Sequence, residues 1–130
     1  MDSEELKKRT KLFALAVIRF VESLPRGKTA DVMGGQLLRA GTSVAANYRS
    51  ACRARSRRDF VSKITIVEEE ADESSFWLEM FLEAGIVDRT TISWLLSEAK
   101  ELTAIFTASG RTATDRASLN SQLTIRNPQC

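Results

Sequence analysis

At 130 residues, 43% of them apolar, the chain is one domain's length and long enough to bury a core without disulfides or metal. It contains no histidine, which removes the usual general base, the usual imidazole metal ligand and the Glu-x-x-His pairs of carboxylate-bridged metal bundles. The net charge of +2 conceals a balance: residues 1–109 carry sixteen basic and sixteen acidic side chains, so any basic surface must arise by segregation of charge along the fold.

The N-terminus, MDSEELKKRTK, lacks the apolar run of a secretory signal, and nowhere does the chain approach the ~20 uncharged apolar residues of a membrane span. Together with two widely separated cysteines, Cys52 and Cys130, this points to a reducing cytoplasm and no membrane partner. Leu6, Phe13, Val17, Phe20 and Leu24 recur at the spacing of one helical face and predict a first helix over about Glu4 to Leu24, ended by Pro25 and Gly27. A second helix is predicted from about Ala30 to Arg53, with Leu37, Ala40, Val44, Asn47 and Tyr48 on one face and Gly41, Ala45 and Ala46 beside it. Gly34 and Gly35 each cost roughly 1 kcal/mol relative to alanine in a helix interior, so a kink or loop is expected near its start.

Ser56 and Asp59 form a capping-box-like pair that opens a third helix, the longest expected. Phe60, Ile64, Val67, Ala71, Ser74, Leu78, Phe81 and Leu82 carry its pattern to Gly85, which suits a left-handed C-cap. Asp88, Thr90 or Thr91 can cap a fourth helix whose face reads Ile92, Leu95, Leu96, Ala99, Leu102, Ile105 and Phe106 and which is expected to end near Gly110. Beyond it RTATDRASLNSQLTIRNPQC is polar, with only Leu119, Leu123 and Ile125 to bury, and reads as a flexible or partner-docking tail. The expected organisation is an all-α, antiparallel up-down four-helix bundle over 1–109 and a polar C-terminal tail over 110–130.

Chemistry-bearing motifs are scarce. No phosphate loop, Walker motif, zinc spacing or serine-hydrolase elbow occurs, and Gly34-Gly35 lacks the lysine and strand context such loops need, so a non-enzymatic protein without catalytic residue, metal or cofactor is expected. The acids of EEEADE, residues 68–73, read as a solvated or ion-paired helix face, and Cys52 as packing. Asn47 is expected to make a structural hydrogen bond between helices, and Trp77 and Trp94 to serve core or interface.

The segment RSACRARSRRDF, 49–60, holds five arginines against one acid; residues 39–63 net +6 while 64–88 net −8. Two readings stand. Arg39, Arg49, Arg53, Arg55, Arg57, Arg58 and Lys63 are candidate phosphate contacts of a nucleic-acid-binding surface. Alternatively they pair with Glu68, Glu69, Glu70, Asp72 and Glu73 within or between subunits of a structural or protein-interaction scaffold. The third helix also carries Ile66, Phe76, Trp77 and Met80 beyond its core share; Phe76, Trp77 and Met80 with Gly41 and Ala45 are therefore the expected subunit contact of a closed cyclic homo-oligomer.

The stretch QLLRAGTSVAANYRSACRARSRRDFVSKITIVEEEADESSFWLEMFLEAGIV, 36–87, together with EAKELTAIF, 98–106, resembles the bacterial four-helix-bundle proteins related to those encoded in intervening sequences of 23S ribosomal RNA. The likeness lies in the element Q-L-x-R-x-G-T-S-V-x-A-N, the arginine-serine turn before Asp59-Phe60, and the run E-E-A-D-E-S-x-x-W-L-E. That family also resembles accessory variability proteins of diversity-generating retroelements, basic pentameric barrels that bind nucleic acid and a reverse transcriptase. The resemblance implies a compact bundle, commonly a ring-shaped homopentamer, with RNA or DNA and a reverse transcriptase or other protein client as partners.

Overall fold

The computed structural model describes residues 1–123, with side chains as far as Arg116. Four helices follow one another: α1 Ser3–Glu22, α2 Lys28–Ala51, α3 Arg57–Glu83 and α4 Arg89–Leu123; among the described residues there is no strand. The connections, residues 23–27, 52–56 and 84–88, are short enough that each helix must fold back antiparallel beside its predecessor. α1 packs on α2, α2 on α3 and α3 on α4; α1 and α4 meet more lightly, and the backbones of the diagonal pairs stay apart while their large side chains meet in the core. This is the up-down four-helix bundle that the periodicity predicts.

Local chemistry sets most boundaries. The Asp2 carboxylate accepts from the Glu5 amide at 2.8 Å and the Asp88 carboxylate from the Thr91 amide at 2.8 Å, each satisfying an N–H that the helix start leaves without a carbonyl. Ser56 Oγ accepts from the Asp59 amide at 3.0 Å, as the capping box requires; the Asp59 carboxylate reaches back one residue further, to the Arg55 amide at 3.4 Å. Gly85, at φ 73°, ends α3, and the following Ile86 amide donates to the Phe81 carbonyl at 3.1 Å in a Schellman-type closure. The core is continuous through all four helices. Phe13, Leu37, Ile64, Leu78, Phe81, Ile92, Leu102 and Phe106 are fully buried, with Phe20 edge-on to Phe81 at 5.5 Å and Tyr48 against Phe106 at 5.3 Å.

Three expectations fail at glycines, for one reason. α2 runs without interruption through Gly34 and Gly35, because Gly34 is where α1 comes close: a Cβ there would lie 3.2 Å from Leu24 Cδ1 and 3.3 Å from Val21 Cγ1. The contact so gained offsets the propensity cost. Gly41, expected at a subunit contact, is buried inside the protomer, where an added Cβ would stand 2.9 Å from both γ-carbons of Val17. Gly110 is not a terminator either. A Cβ there would come within 3.3 Å of Ile64 Cγ2, Ala113 beyond it is buried, and α4 continues to Leu123. The side chains of Leu119 and Leu123, and residues 124–130 with Ile125, lie outside the described residues.

The lighter α1–α4 seam is closed by charge. Arg9 donates from Nε to Glu98 Oε2 at 2.7 Å and from Nη2 to Glu98 Oε1 at 2.8 Å, and Nη2 also reaches Glu101 Oε1 at 3.3 Å. Glu98 is buried, so the two-pronged guanidinium is what keeps its carboxylate satisfied. The hydrogen bond to Glu98 in turn pushes the Arg9 pKa further up.

Candidate nucleic-acid interface

The seven cations proposed from the sequence do not form one group. Arg39 extends from α2 across to α3, where Nη1 meets Glu70 Oε2 at 2.9 Å and Nη2 hydrogen-bonds Glu73. The hydrogen bond that Arg39 donates to Glu73 raises the Arg39 pKa, and Trp77 Nε1 donates to the same Glu73 oxygen at 3.1 Å. Burial pushes the Glu73 pKa up, but the indole and the guanidinium together outweigh it and hold the carboxylate below its usual range. Lys63 is taken by Asp59, one turn earlier on α3, at 3.0 Å. Arg39 thus makes the pairing with the acidic segment, whereas Lys63 is held by Asp59, which lies outside that segment.

The remaining cations lie where α2 ends and α3 begins. Arg49, Arg53, Arg55 and Arg58 are exposed, and among the described residues none has a carboxylate oxygen within 4.0 Å of its guanidinium group. Their intended partners are elsewhere: Glu68 accepts from Thr107 Oγ1 at 2.7 Å, Glu70 and Glu73 hold Arg39, and Glu69 and Asp72 are exposed. Arg57 instead lines an end cleft of about 660 Å³ with Tyr48, Phe60 and Arg116. Arg49 in the last turn of α2 suits the negative end of that helix's dipole, whereas Arg57 and Arg58 in the first turn of α3 sit at a positive end and gain nothing from it.

The antiparallel fold adds cations that the sequence reading missed. The start of α1 lies beside the end of α2, and a groove of about 460 Å³ between them is lined by Lys7, Lys8, Lys11, Arg49 and Arg53 with Glu4, Ala45 and Ala46. Ala45, expected at a subunit contact, thus lines a groove within the protomer. Glu4 pairs with Lys7 at 3.0 Å. The available signal was the spacing of Lys7, Lys8 and Lys11 within two turns, but nothing in the sequence joins it to Arg49, about forty residues on.

On the outward side of α3, Phe76 and Met80 are exposed, and Ile66, also exposed, lies about three to four turns back along the helix. Phe76 stacks edge-on to the half-buried Trp77 at 4.9 Å. Trp94 on α4 is 56% exposed and so belongs to no core in the single chain. Asn47 bonds within its own helix, its Nδ2 donating to the Ser43 carbonyl at 2.9 Å, and so links no two helices. Cys52 is half-buried against the core.

Residues 3–108 match the family model described as 23S rRNA-intervening sequence protein. The chain belongs to that family. The match takes in α1, which the resemblance read from residues 36–87 and 98–106 leaves out, and stops before the last turns of α4. A crystal structure of a protein of unknown function from the S23 ribosomal protein family of Bacteroides thetaiotaomicron superposes with a TM-score of 0.78 at 29% identity, over 85% of this chain and 99% of that one. No curated protein matches the chain. This member of the 23S rRNA-intervening sequence proteins is thus a small helical bundle, and no described helix in it is long and apolar enough to cross a membrane.

Proposed function

We propose that this chain is a non-enzymatic, homo-oligomeric accessory module that binds nucleic acid through the corner where α2 ends and α3 begins. One observation carries the reading: among the described residues, Arg49, Arg53, Arg55 and Arg58 are exposed with no carboxylate oxygen within 4.0 Å of their guanidinium groups, Arg55 having only Asp59 nearby, although eight acids follow in the next segment of chain. Arg49 and Arg53, one helical turn apart, repel one another, and two consecutive arginines at the start of α3 oppose its dipole. A phosphate would relieve both, since it is attracted to guanidinium groups and to a helix N-terminus alike. Repetition of the corner around a ring would let several modest contacts act together on one polyanion. The exposed Phe76 and Met80 beside Trp77 support a subunit contact on α3, and the family resemblance implies five subunits.

Fluorescence anisotropy of labelled RNA and DNA across a salt series tests the reading. Affinity falls on a log–log slope of about 0.7–0.9 per phosphate neutralised, and replacing Arg53, Arg55 and Arg58 with alanine lowers both affinity and slope without unfolding. Absence of binding even at low salt would sink it. The pairing of Arg39 with Glu70 and Glu73 favours a second reading, a protein-interaction scaffold in which charge serves the fold and exposed Glu69 and Asp72 meet a basic client. In that case the alanine variants leave nucleic-acid affinity unchanged.

A further inference from the structure

The groove between α1 and α2 has a lining that discriminates between kinds of nucleic acid. Lys7, Lys8 and Lys11 come from α1 and Arg49 and Arg53 from α2, against a single carboxylate, Glu4, already joined to Lys7. The remaining lining is the methyl groups of Ala45 and Ala46. Among the described residues, no aromatic ring and no amide or hydroxyl side chain lines the groove. Proteins that hold single strands without sequence preference combine a basic channel with rings on which unpaired bases stack. Here the half-buried Phe60, with Tyr48, lines the separate end cleft and not this groove, and the exposed rings are remote. Phe76 lies nineteen residues along α3 from Arg57, about 28 Å at 1.5 Å per residue, and Trp94 is near the start of α4, which the up-down topology puts at the opposite end of the bundle.

A duplex makes no such demand. Its bases are stacked inside and its phosphates lie outside, so a surface of ammonium and guanidinium groups with small side chains between them is sufficient. Lys7 and Lys11, and Arg49 and Arg53, are each one helical turn apart, which gives one row of cations on each helix. We propose that this groove holds the phosphate backbone of a double-stranded nucleic acid, without reading its sequence. The proposal rests on the nucleic-acid reading above and specifies its ligand; Arg49 and Arg53 belong to both surfaces.

The test uses the full chain with four probes of equal length: an RNA duplex, a DNA duplex, a second DNA duplex of unrelated sequence, and a mixed-sequence single strand. Duplex binding at least about tenfold tighter than single-strand binding is expected, with the two DNA sequences indistinguishable. Lys8 and Lys11 are exposed, so Lys8→Gln with Lys11→Gln keeps the fold, checked by circular dichroism, and should lower the duplex salt slope by about 1–2. The relative affinities of the RNA and DNA duplexes identify which helix geometry fits. A single strand bound as tightly as the duplexes overturns the inference while leaving the proposed function standing, and so does an unchanged slope in the double variant. Failure of all four probes at low salt removes the proposed function itself.

Discussion

Gly41 offers the sharpest separation between a contact inside the protomer and one between protomers. Replacing it with alanine would put a methyl group 2.9 Å from both γ-carbons of Val17 and 3.1 Å from its Cβ. Val17 is fully buried, and a β-branched side chain in a helix has essentially one rotamer, so rotation offers no escape and the two helices must separate. Overpacking of this kind costs about 1–3 kcal/mol, and the helix propensity gained by replacing glycine returns about 1 kcal/mol. The Cβ contact puts the cost in the upper part of its range, leaving a net loss of about 1–2 kcal/mol. Gly35→Ala is the control: nothing lies within 4 Å of its would-be Cβ, so the propensity term acts alone and the variant should gain about 0.5–1 kcal/mol. Urea denaturation at several protein concentrations measures both. If Gly41→Ala stabilises as much as Gly35→Ala, or if its whole effect is a concentration-dependent loss of assembly, the close approach of α1 and α2 is wrong.

Removing Arg9 leaves the buried Glu98 carboxylate without its donor, and Arg9→Met should cost about 2–4 kcal/mol, whereas Arg9→Met combined with Glu98→Leu should recover a large part of that loss; equal destabilisation of the two variants in chemical denaturation would show that the pair is not coupled. Asp88 is held below the usual carboxylate range by the Thr91 amide, so its contribution is present above its unfolded value of 3.8 and is lost as pH falls through the lower folded value. Asp88→Asn keeps the cap and removes that titration: thermal melts from pH 7 down to pH 2 should show a shallower acid loss than the parent, and superimposable profiles would contradict the assignment. Changing Phe76 and Met80 together to serine should lower the mass measured by light scattering with size-exclusion chromatography while the helical signal stays intact, and an unchanged mass would put the subunit contact elsewhere.

The helices and the starts of α3 and α4 were legible because the interactions that define them are local. An apolar side chain every three or four residues, a serine or aspartate three residues before an unsatisfied amide, and a glycine free to take φ 73° at Gly85 all act within one or two turns of chain. Those features alone yield four amphipathic helices with short connections and hence an up-down bundle. What failed at the glycines was the inference that needed the lateral distance between helices. Gly34, Gly41 and Gly110 have the same composition signal as Gly85, yet they mark close approach to Leu24, Val17 and Ile64 rather than a bend or an end.

Charge followed the same division. The excess of arginine over residues 49–58 is plain in one dimension, but which cations are neutralised depends on which carboxylates come within about 4 Å, because an exposed charge interacts weakly beyond contact. Arg39 meets Glu70, thirty-one residues on, and Arg9 meets Glu98, eighty-nine residues on. Lys7, Lys8 and Lys11 join Arg49 and Arg53 only because α1 starts where α2 ends. Period and cap are properties of a single helix; pairing, groove and close contact belong to two helices side by side, and only the tertiary structure sets the rotation and separation at which they meet.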